Sequence, residues 1–309
     1  MTHHYKAYVA TCVQILIIGL SFMFVKISLR DASPIDVLAH RFSIAFVAAN
    51  GLMWLLKKPL PYAWPTLKSV LPLALLNPVL FFSFQVFGLA HVSSAEAGII
   101  FATVPIFVVL LAALLLKEET TRLQRLSVLM AMLGVVGMSL WGGLNQAQDF
   151  SLLGGGLILM SATALALFTV LARKARHQHD FYSLTYLMIG AGFVVFNLMA
   201  IAEHLRHGQL ADFWAPWRSP AFAWSMLYLG VLSSLLTSLL SVYALSKIEA
   251  SKIGVFNNLT VVITLIAGAV FLNERIQGYH LVGMVIILVG VLGGQYFAPK
   301  STVKPRGST

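Results

Sequence analysis

The chain has 309 residues, of which 59% are hydrophobic and 10% are charged, and its formal net charge is +10. A soluble domain carries about 25% charged residues, and a surface this poor in charge would expose apolar patches that water does not tolerate. The composition therefore excludes an ordinary soluble protein, and it assigns the excess of basic residues to membrane topology rather than to nucleic-acid binding.

Ten apolar segments are long enough to cross a bilayer, which takes about 20 residues of helix. The first is too long for the hydrophobic region of a cleaved signal, about 7–15 residues, so we expect it to remain in the protein. We therefore predict an all-α polytopic membrane protein with ten transmembrane helices. In chain order the predicted spans are 7–29, 35–56, 68–90, 93–116, 123–141, 151–173, 181–203, 220–246, 249–272 and 277–297.

The Lys and Arg residues are divided unequally between the two sides of this predicted bundle. With a cytoplasmic N-terminus, 15 of the 21 fall on the cytoplasmic side and 4 on the other, while Lys26 and Arg41 lie within spans. Cytoplasmic loops are enriched in Lys and Arg. Both termini are therefore predicted to be cytoplasmic, in a multi-pass protein of the cell (plasma or inner) membrane.

The second half of the sequence repeats features of the first after a shift of 156 residues. In each half a long apolar helix ends in Leu-x-Glu, at Glu118 and at Glu274, and a glycine-containing helix follows. Both carboxylates are expected to pair with basic neighbours such as Arg275. The matched glycines are Gly98 with Gly254, Gly134 with Gly290 and Gly137 with Gly293.

Each half contains five predicted helices. Because five is odd, the second half enters the membrane from the opposite side, which makes the repeat an inverted one. Transporters built this way place the substrate site near the midplane, where the halves meet. We expect a first repeat at 1–145, a second, inverted repeat at 146–298, and a disordered cytoplasmic tail at 299–309.

Two segments carry a family resemblance: SSAEAGIIFATVPIFVVLLAALLLKEETTRLQRLSVLMAMLGVVGMSL and EASKIGVFNNLTVVITLIAGAVFLNERIQGYHLVGMVIILVGVLGG. They resemble the two EamA domains of the drug/metabolite transporter superfamily, and the resemblance covers nearly the whole chain. It implies a ten-helix carrier with a central cavity, and it favours efflux of amino acids or other metabolites across the bacterial inner membrane. The family often has a proline in both repeat-related helices. Pro105 fills the first position, whereas the corresponding stretch of the second half, Asn257-Asn258-Leu259-Thr260-Val261, contains no proline.

Polar side chains are scarce in the predicted spans, and at membrane depth they are candidates for function. Asn257 and Asn258 are the strongest candidates because each amide has two donors and an acceptor, although asparagine also bonds between helices. Adjacent helical residues point about 100° apart, so one can line a cavity while the other bonds a neighbouring helix. The predicted cavity residues are Gln14, Asn77, Gln85, Thr103, Ser234, Tyr243, Asn257 and Asn258.

Two prolines and three charged residues are candidates for gating or coupling. Pro78 and Pro105 each remove a backbone donor and open the helix before them. Glu96 begins the fourth span, either as an acid at the interface favoured by the helix N-terminus or as a buried proton relay. Lys26 and Arg41 are expected to pair with acidic residues near the outer side, or else to act electrostatically at an outer gate.

The sequence predicts a secondary transporter that moves a small neutral or zwitterionic metabolite, such as an amino acid, by alternating access. Charge is sparse near the midplane, and the nucleotide-binding pattern GxxxxGK[ST] is absent, so a gradient is the expected driving force. We expect no cofactor, no metal site and no nucleic-acid partner; the partners are a small-molecule substrate, the lipid bilayer and, as one option, a second copy in a homodimer. Two alternatives remain open: a passive facilitator or channel, and an intramembrane enzyme, which needs a convergent catalytic group that the sequence does not display.

Overall fold

The computed structural model of the protein describes residues 2–61, 64–117, 119–144, 151–175, 181–208, 210–245 and 258–297. Every regular element within these ranges is helical. The α-helices are α1 (Thr2–Ser28), α2 (Pro34–Leu55), α3 (Trp64–Ala74), α4 (Phe81–Leu89), α5 (Ser94–Phe101), α6 (Val104–Leu116), α7 (Arg122–Leu144), α8 (Leu152–Ala175), α9 (Phe181–His207), α10 (Pro220–Leu227), α11 (Thr237–Leu245), α12 (Leu259–Leu272) and α13 (Gly278–Tyr296).

Three of the predicted spans are interrupted. A π-helical stretch, Leu75–Leu80, joins α3 to α4, and within it Asn77 has extended backbone angles of φ −141° and ψ 113°. Pro78 explains this interruption, because a residue before proline is driven out of the helical region. Pro105 lies in the first turn of α6, where a missing N–H costs little, and so it begins a new helix. A second π-helical stretch, Tyr228–Leu236, joins α10 to α11 without any proline.

Eight helical segments are long and apolar enough to cross a membrane by length and composition. The prediction of a polytopic helical membrane protein is confirmed. The shorter apolar helix α12 covers the C-terminal part of the predicted span 249–272, whose first residues, 249–257, lie outside the described ranges. The eight segments are Lys6–Ser28, Pro34–Leu55, Trp64–Leu89, Ser94–Leu116, Leu152–Ala172, Tyr182–His207, Pro220–Leu240 and Gly278–Tyr296.

Helices from the two halves of the chain pack closely on each other. α2 contacts α9, α7 contacts α13, and α5 contacts α12, while α1 packs on α11 and α12 and α8 packs on α4 and α6. Four of the glycines matched in the sequence repeat lie at such crossings, Gly98, Gly134, Gly290 and Gly293. A Cβ atom on Gly98 would lie 2.7 Å from Thr264 Cγ2, and one on Gly134 would lie 2.9 Å from Ile287 Cγ1. Glycine therefore permits the close approach of these helices.

Candidate functional site

A cavity of about 570 Å³ lies inside the bundle. Its wall comes from α1, α2, α4, α5, α8, α9 and α11, together with the two π-helical stretches. Sites for small molecules usually measure about 300–1,000 Å³, so this cavity has the volume of a metabolite site. Its polar wall residues are Gln14, Ser21, Arg41, Asn77, Gln85, Thr185, Ser233, Ser234, Thr237 and Ser238.

Aromatic rings form much of the remaining wall. Phe42 and Phe82 meet edge to face with ring centroids 5.3 Å apart, and Phe81 and Phe82 do so at 4.4 Å. Phe101 and Phe168 complete the set of five. The sequence does not single these residues out, because phenylalanine is common in the apolar spans. Its spacing there does not distinguish a ring in the cavity wall from a ring in the packed core. These rings favour a ligand with an apolar body.

Arg41 is the charged side chain of the described cavity wall, and it is 1% exposed. Its Nε donates to Ser234 Oγ at 3.1 Å and one terminal nitrogen donates to Ser233 Oγ at 3.2 Å. The guanidinium carbon lies 4.1 Å from the ring centroid of Phe82. Its other terminal nitrogen, Nη1, has no hydrogen-bond partner in the part of the chain that the structure describes. Among the described residues Arg41 forms no ion pair, so the predicted pairing with an acidic residue is wrong for this arginine.

Four residues predicted to line the cavity do so: Gln14, Asn77, Gln85 and Ser234, and Pro78, a predicted hinge, lines it as well. Gln14 and Gln85 are 7% and 5% exposed. The amide oxygen of Gln14 has no hydrogen-bond partner among the described residues. One acceptor, Gln14 Oε1, and one donor, Arg41 Nη1, are therefore without a partner there and belong to side chains of the same cavity wall.

Four other predicted residues lie outside that wall: Thr103, Tyr243, Asn258 and Pro105. The hydroxyl of Thr103, which lies between α5 and α6, donates to the carbonyl of Ile100 in α5 at 2.6 Å, a local side-chain-to-backbone bond common for threonine. Tyr243 is 37% exposed, and Asn258 is buried with its amide nitrogen unpaired. Asn257 lies outside the described residues.

A carboxylate caps a helix across the two halves at one end of the bundle. Glu274, which follows α12, accepts hydrogen bonds from Ser94 N at 2.7 Å, Ser94 Oγ at 2.9 Å and Ala95 N at 3.0 Å. These are groups of the first turn of α5, where N–H groups lack helical partners and a negative charge is favoured. The expected pairing of Glu274 with Arg275 is therefore replaced by helix capping, and Glu118 lies outside the described residues.

Lys26 serves the same end of the bundle. Its ammonium group donates to the carbonyls of Leu89 at 2.9 Å and Val92 at 2.8 Å, at the C-terminus of α4. Glu96, in the first turn of α5, is 2% exposed. Glu96 therefore stands at a helix start, as one of the two predicted alternatives has it, but it is buried there, and its role as a proton relay stays a prediction. Lys26 stabilises a helix end with a cation.

Aromatic and imidazole groups join α2 and α9 at the same end of the bundle. His204 of α9 bonds Asp36 of α2 at 2.9 Å, and His40 Nε2 lies 2.8 Å from the carbonyl of Phe213. Trp217 Nε1 donates to His40 Nδ1 at 3.2 Å. We call this end the closed end; it is formed by the segments 29–33, 90–93, 210–219 and 273–277.

The cavity extends away from the closed end. Ala172 and Leu184 belong to its wall, and they lie three residues from the end of α8 and three from the start of α9. The end of α8 and the start of α9 belong to the opposite end of the bundle. Arg41, by contrast, lies seven residues into α2 from the closed end, about 10 Å along the helix axis. The cavity therefore reaches close to the opposite end of the bundle, and Arg41 belongs to the part of its wall that is nearer the closed end.

A model of the EamA-like transporter family matches the chain twice, over residues 5–140 and 152–293. The chain belongs to the EamA-like transporter family. The prediction of that family from the two repeated segments is confirmed. The membership makes the protein a transporter rather than an enzyme, and its cavity a candidate transport site.

Similar proteins extend over nearly all of this EamA-like chain. The uncharacterized transporter YcxC of Bacillus subtilis is 45% identical over 306 residues, which is 97% of this chain and 96% of that one. An uncharacterized transporter of Archaeoglobus fulgidus is 25% identical over 93% of this chain and 97% of its own. A protein of known crystal structure superposes with a TM-score of 0.64 at 16% identity, covering 95% of this chain and 98% of that one. That superposition supports the fold alone.

Proposed function

We propose that this protein is a secondary transporter that exports a small neutral or zwitterionic metabolite, an amino acid or a related compound, by alternating access. The observation that carries the proposal is the asymmetric cavity. It extends to Ala172 and Leu184 at one end of the bundle, while Glu274, Lys26 and His204 tie helices together at the other. We infer that a solute enters from the end beside Ala172 and Leu184, which we call the open end.

An inverted pair of five-helix repeats, 1–145 and 146–298, gives this carrier its second state. The two matches to the family model fall on the two halves. The packing supports the same division, since α1 contacts α11 and α12 while its repeat equivalent, α8, contacts α4 and α6. Exchange of the two halves' conformations would close the open end and open the closed one, as in other inverted-repeat carriers.

The membrane orientation follows from the basic residues. The open end carries Lys57, Lys58, Lys117 and Arg122, and because Lys and Arg are enriched on the cytoplasmic side, we place this end at the cytoplasmic face of the cell membrane. The described conformation is then the one that loads substrate from the cytoplasm. The alternative of a passive channel requires a continuous path, whereas the contacts at the closed end belong to a barrier.

Counterflow in proteoliposomes tests the proposal. Vesicles preloaded with one unlabelled amino acid at a time should accelerate uptake of the same labelled compound, and the uptake should saturate. Gln14→Ala should reduce this exchange at least about tenfold, because a buried amide that bonds substrate contributes about 1.4 kcal/mol or more. Thr163→Val is the matched control, since the Thr163 hydroxyl bonds its own helix at Leu159 and lies outside the cavity wall.

Two results would contradict the proposal. Uptake that rises linearly with concentration and ignores the internal solute would identify a channel. Saturable exchange with other metabolites but with no amino acid would keep the carrier and exclude the proposed substrate class.

A further inference from the structure

The guanidinium of Arg41 is a buried charge without a described counter-ion. The side chain is 1% exposed, and its hydrogen bonds go to the neutral hydroxyls of Ser233 and Ser234. Nη1 has no hydrogen-bond partner among the described residues, and the described cavity wall contains no Asp or Glu. Removing a charge from water is costly unless it is paired and fully hydrogen-bonded. The described side chains do not by themselves meet this requirement.

Several surrounding groups hold the guanidinium in place. Two serine hydroxyls fix two of its nitrogens, and the Phe82 ring lies 4.1 Å from its central carbon. A cation over an aromatic face gains about 0.5–2 kcal/mol. These contacts position the group but do not neutralise it. A planar guanidinium with free donors is well matched to a carboxylate, which can accept two parallel hydrogen bonds.

We propose that Arg41 binds the carboxylate of the transported substrate, which is a small organic acid with one carboxylate and an apolar body. This inference rests on the proposed function and names the chemical group that its site recognises. Arg41 is the cation of the described cavity wall, so one carboxylate neutralises the site. The phenylalanine rings and the 570 Å³ volume suit an apolar body rather than an inorganic anion.

A carboxylate of this kind belongs either to a zwitterionic amino acid or to a simple monocarboxylic acid. Gln14 offers a contact to the amino acid alone. Its amide oxygen has no partner among the described residues, and a carbonyl oxygen accepts a hydrogen bond from an ammonium group. The shared feature is the carboxylate at Arg41. The second group decides between the two sources.

Equilibrium binding to the purified full-length protein in detergent tests the inference separately from transport. Three sets of ligands are compared by thermal stabilisation and isothermal titration: leucine, methionine and phenylalanine; their carboxamides; and the deaminated acids 4-methylpentanoate and 3-phenylpropanoate. Chloride and inorganic phosphate serve as inorganic anions. The variants are Arg41→Met, Arg41→Lys and, as the matched control, Arg206→Met, since Arg206 is exposed at the end of α9.

In the wild type we expect at least one carboxylate to bind about 10- to 100-fold more tightly than its carboxamide, the range of a charge-assisted hydrogen bond. Arg41→Met should lower the affinity for the carboxylate to that for the carboxamide, and the affinity for the carboxamide should stay unchanged. Arg41→Lys should retain part of the ratio, because it keeps the charge and loses the planar fork. Arg206→Met should match the wild type. Tighter binding of an amino acid than of its deaminated acid would assign the zwitterion, and the reverse order the monocarboxylate.

Several results would overturn the inference. If Arg41→Met weakens acid and carboxamide equally, Arg41 only supports the cavity wall. Equal stabilisation by chloride or phosphate would also overturn it. The same holds if none of the carboxylates binds at concentrations up to about 10 mM, which corresponds to a binding free energy of only about −3 kcal/mol. If the carboxylate ratio is found but counterflow is absent, the binding site stands and the proposed transport function fails. If Arg41→Met does not fold, Arg41→Lys decides. A carboxylate-to-carboxamide affinity ratio below that of the wild type supports the inference, and an unchanged ratio overturns it.

Discussion

Replacing Glu274 by glutamine should release the closed end of the bundle. The carboxylate accepts two backbone N–H groups and one hydroxyl from Ser94 and Ala95. A glutamine has one acceptor oxygen, so its NH2 group would face at least one of these donors. Loss of a charge-assisted hydrogen bond with an unpaired donor left behind costs about 1–3 kcal/mol. This contact joins the first half to the second, and it should be lost when the closed end opens.

The expected result is therefore a shift in conformational population rather than a uniform loss of stability. A cost of about 1–3 kcal/mol confined to the described conformation favours the opposite one by about 5- to 150-fold. Val92, which is 2% exposed at the closed end, offers a reporter position. In a Cys12→Ser background, Val92→Cys should react faster with a membrane-impermeant maleimide when Glu274→Gln is also present.

The matched control is Glu119→Gln, because Glu119 is exposed near the opposite end of the bundle. It removes the same charge without touching the cap, so labelling should stay at the background rate. An unchanged labelling rate in Glu274→Gln, together with a lower Tm, would show that the cap is equally present in both conformations. That outcome would refute the assignment of Glu274 to the closing contact.

Three further substitutions test the packing and the cavity. Gly268→Ala should mimic loss of the cap in the same labelling assay, because the added Cβ would collide with the Glu274 carboxylate. Ser161→Ala should lower the free energy of unfolding by about 0.6–1.7 kcal/mol, the range for hydrogen bonds between membrane helices, since its hydroxyl donates to the Phe81 carbonyl at 2.9 Å; unchanged denaturant unfolding would contradict this. Ala172→Trp should abolish counterflow in a normally folded protein by filling the open end of the cavity, and retained exchange would show that the substrate enters elsewhere.

The helices were the most predictable part of the structure, because length and apolar character follow directly from the sequence. The span predicted at 35–56 is α2, Pro34–Leu55. The interruption at Pro78 was also predictable, since proline lacks the N–H that a helix needs. The π-helical stretch Tyr228–Leu236 was not, because serine and leucine are compatible with an unbroken helix and no proline marks the irregularity.

The candidate site was predictable only where a polar residue is rare. Gln14, Asn77 and Gln85 stand out in apolar segments and line the cavity. Thr103 stands out equally, yet its hydroxyl bonds the backbone three residues earlier, at Ile100. A sequence gives the residue type but not the direction of its side chain. Where a helix is apolar on all its faces, the periodicity that would reveal that direction is absent.

The amino-acid sequence by itself determined that this is a helical membrane protein of the EamA-like family, because composition, span length and the repeated segments are local properties of the chain. Only the tertiary structure decided which groups meet. It placed Arg41 beside two serines and a phenylalanine instead of an acid, and it brought Glu274 to the start of α5, 180 residues away. Both arrangements depend on contacts between helices distant in sequence, and neither the spacing nor the type of those residues specifies such contacts.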